Sequence, residues 1–264
     1  LATIIFPHGG PIARDSNSFD YWAQFFANRG YAVLQMNFRG SGGQGIDLRN
    51  LGLKDWGGAM QDDIEDGAKK LIADGITDAN KICIVGASYG GYAALMGAVK
   101  TPDFYQCAIS IAGVSDVFEL VRSNRSFWRS FNIVDEQIGE LGTKLNDISP
   151  VNHAKAINIP ILLIHGDSDR QVDVEHSQRM YQQLKAHDKS VRYVELAKDG
   201  EKWLPMEEIF KQHSQFNKIF LKIDIEGDEY RLLESIVKNS QKLIGLIIEF
   251  HNFDLNIEKI KYFI

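Results

Sequence analysis

Short apolar runs alternate with longer amphipathic stretches along the first two hundred residues. Thr3-Ile-Ile-Phe6 predicts a buried strand, and residues 19–30 follow with Phe19, Trp22, Phe25 and Phe26 at helical spacing and a Gly30 stop. Residues 31–36 predict the next strand. A helix is expected over residues 55–74, with Met60, Ile64 and Leu71 on its apolar side. Its acids Asp62, Asp63, Glu65 and Asp66 read as a solvated face rather than a metal site. Strands are then expected at 81–85, 107–112, 159–164 and 191–196, with helices after Ser88 and over 174–186 and a helical excursion over 115–150. The strand segments look buried throughout rather than alternating. Strands and helices in turn, with that pattern, predict a parallel α/β sheet covered by helices on both faces.

One junction stands out. Residues 81–85 run into Gly86-Ala87-Ser88-Tyr89-Gly90-Gly91-Tyr92, and a small-residue helical pattern follows at once. A strand, a tight Gly-x-Ser-x-Gly turn and a helix form the context that presents a serine as a nucleophile. Side chains at Gly86 or Gly90 would collide with the neighbouring strand or helix.

Composition narrows the class. At 264 residues, 44% hydrophobic and 24% charged, the chain suits one large α/β domain or a domain plus a fragment. A net charge of −6 without a concentrated Lys/Arg stretch argues against a nucleic-acid partner, and no apolar run reaches membrane-spanning length. Cys83 and Cys107, both in apolar strand-like runs, are expected to be buried free thiols. Leu1 falls inside an apparent strand with no initiator Met, as in a piece of a longer protein.

Acyl transfer needs a nucleophile, a base, an acid to orient the base, and donors for the oxyanion. Ser88 is the candidate nucleophile. Asp169, after the strand at 159–164, is the candidate acid, with Asp167 and Asp173 as rivals. The backbone N–H groups of Tyr89 and of the His8-Gly9-Gly10 turn, with Gly10 favoured, are candidate oxyanion donors. The glycine-rich loop Asn37-Phe38-Arg39-Gly40-Ser41-Gly42-Gly43 lacks both the P-loop ending and the dinucleotide spacing, and reads as a structural loop beside a cleft. No cofactor and no metal is expected.

Five ordered motifs together resemble the catalytic domain of prolyl oligopeptidase-family serine peptidases, in the acylaminoacyl-peptidase and dipeptidyl-peptidase-like branch. They are Pro7-His8-Gly9-Gly10-Pro11, Arg29-Gly30-Tyr31-Ala32-Val33, residues 37–43, residues 86–92, and His165-Gly166-x-x-Asp169-x-x-Val172. The resemblance covers about residues 1–200. It implies an α/β-hydrolase fold, Ser88 as nucleophile, Asp169 as triad acid, a peptide or acyl-peptide substrate, and an upstream β-propeller that admits only short peptides.

The pattern breaks at the base. Where the family has a His in a segment resembling Asp-Gly-Asp-His-Trp-Leu, this chain reads Asp199-Gly200-Glu201-Lys202-Trp203-Leu204. An exposed ammonium is already protonated and cannot accept the serine proton, so Lys202 predicts impaired turnover. Of the histidines, His8 and His165 belong to backbone motifs. His153, His176 and His187 read as surface or helix positions, and His213 and His251 lie in the tail. That tail, from Ile219 to His251, is similar to the later strands of FkbM-type SAM-dependent methyltransferases, but without the glycine-rich turn that would hold the cofactor. The expected division is a peptidase-type domain over 1–202 and a short αβαβ fragment over 203–264, joined in frame near 198–206.

Overall fold

The computed structural model describes residues 1–124, 134–196, 219–223, 238, 241 and 243–248. It divides into two compact units, Leu1–Lys198 and Asp199–Ile264.

The first unit is built on six parallel strands: β1 (Thr3–Ile5), β2 (Ala32–Leu34), β3 (Ile82–Ala87), β4 (Cys107–Ile111), β5 (Ile161–Gly166) and β6 (Val191–Leu196). Their spatial order is β2-β1-β3-β4-β5-β6, all neighbours parallel. The chain therefore moves outward from β1 to β2, then crosses back past β1 to β3 and continues in that direction. The connections leaving β1 and β3 head in opposite directions at this reversal, the place at the carboxyl ends of the strands where sites gather in open α/β sheets. Right-handed crossovers place α1 (Tyr21–Ala27) on one face and α3 (Ala59–Ala73), α4 (Tyr89–Lys100) and α7 (Glu175–Ala186) on the other. The short helices α2 (Ile46–Asn50), α5 (Val117–Asn124) and α6 (Lys144–Asp147) lie in connections.

The core lies under the α3/α4/α7 layer. Met60, Ile64 and Ala68 of α3, Ile82 and Ile84 of β3, Leu95 of α4, and Met180 and Leu184 of α7 belong to one buried cluster. Ten of the twelve residues of α4 are buried, whereas α1 buries none. Strand burial differs from the expectation. In β4 and β5 fully buried residues alternate with half-buried ones, because the helical layer packs closely on one face of these strands only.

Helix ends follow local chemistry. Asp20 caps α1 by accepting the Ala23 N–H at 2.8 Å, and Gly30, at φ 85°, stops the turn that follows. Phe19, expected inside that helix, precedes its cap and is 72% exposed. Cys83 and Cys107 are corrected outright. The β3–β4 register sets them opposite each other with Cα atoms 4.8 Å apart, inside the span a disulfide bridges, and they are joined as one, half-buried. Residue-by-residue apolarity predicts their strands but carries no information about that register.

In the second unit the described residues form two parallel strands, β7 (Ile219–Ile223) and β8 (Leu243–Ile248), with a register irregularity at Ile219/Phe220.

Candidate active site

Strand β3 ends at Ala87 and α4 begins at Tyr89, so Ser88 alone makes the turn. Its φ of 56° and ψ of −119° hold a non-glycine residue in a region that L side chains rarely occupy. Backbone packing enforces the bend. A Cβ on Gly86 would fall 2.3 Å from the backbone of Gly90, and one on Gly90 would fall 2.2 Å from the Pro7 carbonyl oxygen. Gly91 meets Gly113 in the same manner. The Ser88 N–H donates to the Ile111 carbonyl of β4 at 2.9 Å. The Tyr89 N–H is the first of α4, where no intrahelical acceptor is in reach and the helix dipole favours negative charge.

The turn after β1 lies against this elbow. A Cβ on Gly9 would sit 3.3 Å from the Ala87 carbonyl oxygen and 3.6 Å from the Ser88 Cβ, so only glycine lets the backbone come so close. Gly10 follows at φ 121°. His8 holds the turn from behind. Its Nδ1–H donates to the Gly9 carbonyl at 2.7 Å, and its Nε2 accepts from the buried Ser41 hydroxyl at 2.8 Å. The ring also stacks on Phe38, with centroids 4.5 Å apart. His8 is thereby fully engaged in the scaffold.

Ser41 and Phe38 belong to the glycine-rich loop after β2, and Asp63 anchors that loop. The Asp63 carboxylate accepts from the Arg39 backbone N–H at 2.9 Å, from Nε at 2.8 Å and from Nη2 at 2.6 Å. Burial opposes ionisation of Asp63, but the Arg39 guanidinium and N–H outweigh it and hold its carboxyl below the usual range. On the acidic face of α3, Asp62 and Asp66 are exposed, Asp62 pairing with Lys100 at 2.7 Å, while Asp63 and Glu65 are half-buried. Among the described residues no group of His, Cys, Asp or Glu could hold a metal ion.

Asp169 leaves the carboxyl end of β5, two strands from β3 and so about 10 Å across the sheet. Its Oδ1 accepts the N–H groups of Gln171 at 2.8 Å and Val172 at 3.0 Å, while Oδ2 lies 3.8 Å from the His165 Nε2. Of its rivals, Asp167 is exposed with Oδ1 taken by the Ser168 hydroxyl, and Asp173 accepts the Glu175 N–H. Lys202, His213 and His251 lie outside the described residues.

Tyr89 and Tyr92, the tyrosines of the elbow among the described residues, offer no substitute base. Burial pushes the phenols of Tyr89 and Tyr92 well above their ordinary range, and both stay protonated. His176 takes the helix alternative of its reading: it lies on α7 and is buried there, and its Nδ1 accepts the N–H groups of Ser115 at 3.3 Å and Asp116 at 3.2 Å. Burial lowers its pKa to about 4, so it holds the loop after β4 as a neutral acceptor. No local signal in the sequence distinguishes it from an exposed helix histidine, because its partners lie some sixty residues upstream.

The geometry so far is a strained serine at a parallel-sheet crevice, with a close-fitting glycine turn on one side and a carboxylate two strands away on the other. The sequence model of the prolyl oligopeptidase family matches residues 17–202. The chain belongs to that family. It is 36% identical over 203 residues to dipeptidyl aminopeptidase BIII of Pseudoxanthomonas mexicana, covering 75% of this chain and 30% of that protein. It is 31% identical over 234 residues to dipeptidyl peptidase family member 6 of Caenorhabditis elegans, covering 85% and 31%. Among solved structures it resembles the acylaminoacyl peptidase of Pyrococcus horikoshii at a TM-score of 0.68 and 28% identity, covering 74% of this chain and 32% of that one. A puromycin-hydrolyzing peptidase of Mycobacterium tuberculosis gives a TM-score of 0.69 at 28% identity, with coverage of 74% and 30%. The fold is that of an α/β-hydrolase. The chain spans about a third of the length of the relatives it matches.

Proposed function

We propose that the first unit is a serine peptidase catalytic domain that acts on peptide or acyl-peptide bonds through an acyl-enzyme on Ser88. The observation that carries this reading is the elbow itself. Ser88 is held at φ 56° by backbone contacts that leave no room for a Cβ on Gly86 or Gly90, a cost of about 1–3 kcal/mol that a merely structural turn has no reason to maintain. In the reaction the Ser88 hydroxyl oxygen attacks the scissile carbonyl, and the developing oxyanion meets the N–H of Tyr89 and an N–H of the His8–Gly10 turn. Asp169 orients the base that takes the serine proton and later delivers it to the leaving amine.

The chain has Lys202 where the family pattern has that base, so turnover by the chain as it stands is weak. Without the base, the oxyanion donors and binding alone leave a residue of catalysis. Peptide binding without turnover is the second reading, and Lys202 is what favours it. In the relatives, two thirds of the length lies outside the match, which is room for the upstream propeller that would restrict access to short peptides. The change in family pattern near Lys202, together with the methyltransferase-like tail, is read as an in-frame join near residues 198–206.

The decisive experiment compares the chain with its Lys202→His and Ser88→Ala variants, using a fluorophosphonate probe and a panel of peptide anilides. Lys202→His should raise turnover by a factor of about 10² or more, and Ser88→Ala in that background should abolish both turnover and labelling. Labelling that persists in Ser88→Ala would remove Ser88 as nucleophile. Substantial turnover by the unaltered chain would overturn the impairment.

A further inference from the structure

Behind Asp169 lies a buried polar pair that the reaction outlined above does not use. His165 is the penultimate residue of β5, and its side chain is fully buried. Its Nε2 is 2.8 Å from the Val172 carbonyl oxygen, and its Nδ1 is 2.7 Å from the Ser177 hydroxyl on α7. A carbonyl can only accept, so Nε2 carries a proton directed at Val172, while the Ser177 hydroxyl pairs with Nδ1. The Val172 carbonyl therefore requires the proton on Nε2, and the Ser177 hydroxyl holds the opposite edge of the ring in place. Val172 in turn donates its own N–H to Asp169 Oδ1, so both its backbone groups are committed to this turn. The same Nε2–H lies 3.8 Å from Asp169 Oδ2, the carboxylate oxygen that the turn leaves free of backbone donors.

We propose that His165 is the positioning residue for Asp169, and that Ser177 acts on Asp169 only by holding the His165 ring in the orientation that directs Nε2–H at the Val172 carbonyl. The chain of contacts runs from α7 through the imidazole to the 169–172 turn, and it fixes the direction in which the carboxylate faces the crevice. The role of Asp169 as triad acid rests on the proposed function; its placement by His165 does not. Polar partners of this kind orient a functional group without touching the reacting atoms. His165 does not reach the substrate and is no alternative base, since both of its nitrogens are occupied.

The test uses the full chain with Ser177→Ala and His165→Gln, read by ¹⁵N NMR. Ser177→Ala should broaden the Nε2–H signal of the His165 ring as its orientation loosens. Both variants should speed amide exchange at Gln171 and Val172 by about tenfold relative to the amides of β3 and β4. An equal acceleration across the whole sheet would mean that His165 serves stability alone, and unchanged exchange at Gln171 and Val172 would also overturn the proposal. If His165→Gln does not fold, Ser177→Ala decides through the same two signals. In a Lys202→His background, Ser177→Ala should lower kcat about tenfold with KM unchanged. Absence of turnover in Lys202→His would count against the peptidase reading and leave the amide result to decide the placement of Asp169.

Discussion

The two ends of the candidate site are built on opposite principles. At the elbow after β3, position is enforced by backbone against backbone: Gly86 on Gly90, Gly90 on Pro7, Gly91 on Gly113. The helix that follows is buried along almost its whole length. At the turn after β5, Asp169 is partly exposed, and polar contacts set its place: two N–H groups on Oδ1, and a buried histidine held by a serine from α7. Steric enforcement has no pH dependence and fails abruptly when a methyl group is added. Polar enforcement is graded, and it depends on protonation and on tautomer. A nucleophile needs its angle held against strain, whereas an acid needs its dipoles aligned, and the two ends meet those needs differently.

Breaking the steric end should have the largest effect. Gly90→Ala places a Cβ 2.2 Å from the Pro7 oxygen, against backbone that cannot yield as a flexible side chain would. It should lower the unfolding free energy by about 3 kcal/mol or more and, in the Lys202→His background, abolish probe labelling of Ser88, as seen by denaturant titration and gel fluorescence. The matching change at the polar end, Asp169→Asn, should leave the fold intact.

The disulfide sharpens the contrast, because Cys83 and Cys107 close a loop of 24 residues that contains Ser88 and all of α4. Reduction, or the Cys83→Ala/Cys107→Ala pair, should cost about 3 kcal/mol, read as a fall in Tm. Alkylation mass spectrometry should find both sulfurs blocked before reduction.

The pH response should come from a third, buried polar contact, that of His176 on α7 with the loop after β4. His176 titrates at about 4 when folded, against 6.5 when free. Between those values the unfolded chain binds the extra proton, so stability falls as pH drops through this window. The loss should reach about 3 kcal/mol at its lower limit. His176→Asn, which keeps an acceptor near the Nδ1 position, should flatten the difference in unfolding free energy between pH 7 and pH 4. An unchanged pH dependence in that variant would assign the effect to the carboxylates instead.

Much of this was legible in the chain, and the reason is locality. The elbow could be read because its glycines, its serine and the helix after it lie within a dozen residues, and the collision of Gly86 with Gly90 is local, whereas those of Gly90 with Pro7 and of Gly91 with Gly113 are not. The alternation of strand and helix was equally local, and β6 falls where the apolar run predicts. Asp169 was readable only as one of three loop acids. Its place among Gln171, Val172 and His165 depends on packing against α7, which spacing does not report.

What the sequence by itself determined is the strand–turn–helix that presents Ser88, the order of parallel strands along the chain, and the absence of the family's histidine at Lys202. Tertiary structure alone decided that Cys83 meets Cys107, that His176 is buried and neutral at physiological pH, and that Asp63 anchors the glycine loop through Arg39. Each of these pairs residues more than twenty positions apart. Their contact follows from strand register and from the layer of helices packed over the sheet, and those arise from burial of the whole apolar surface rather than from any single segment.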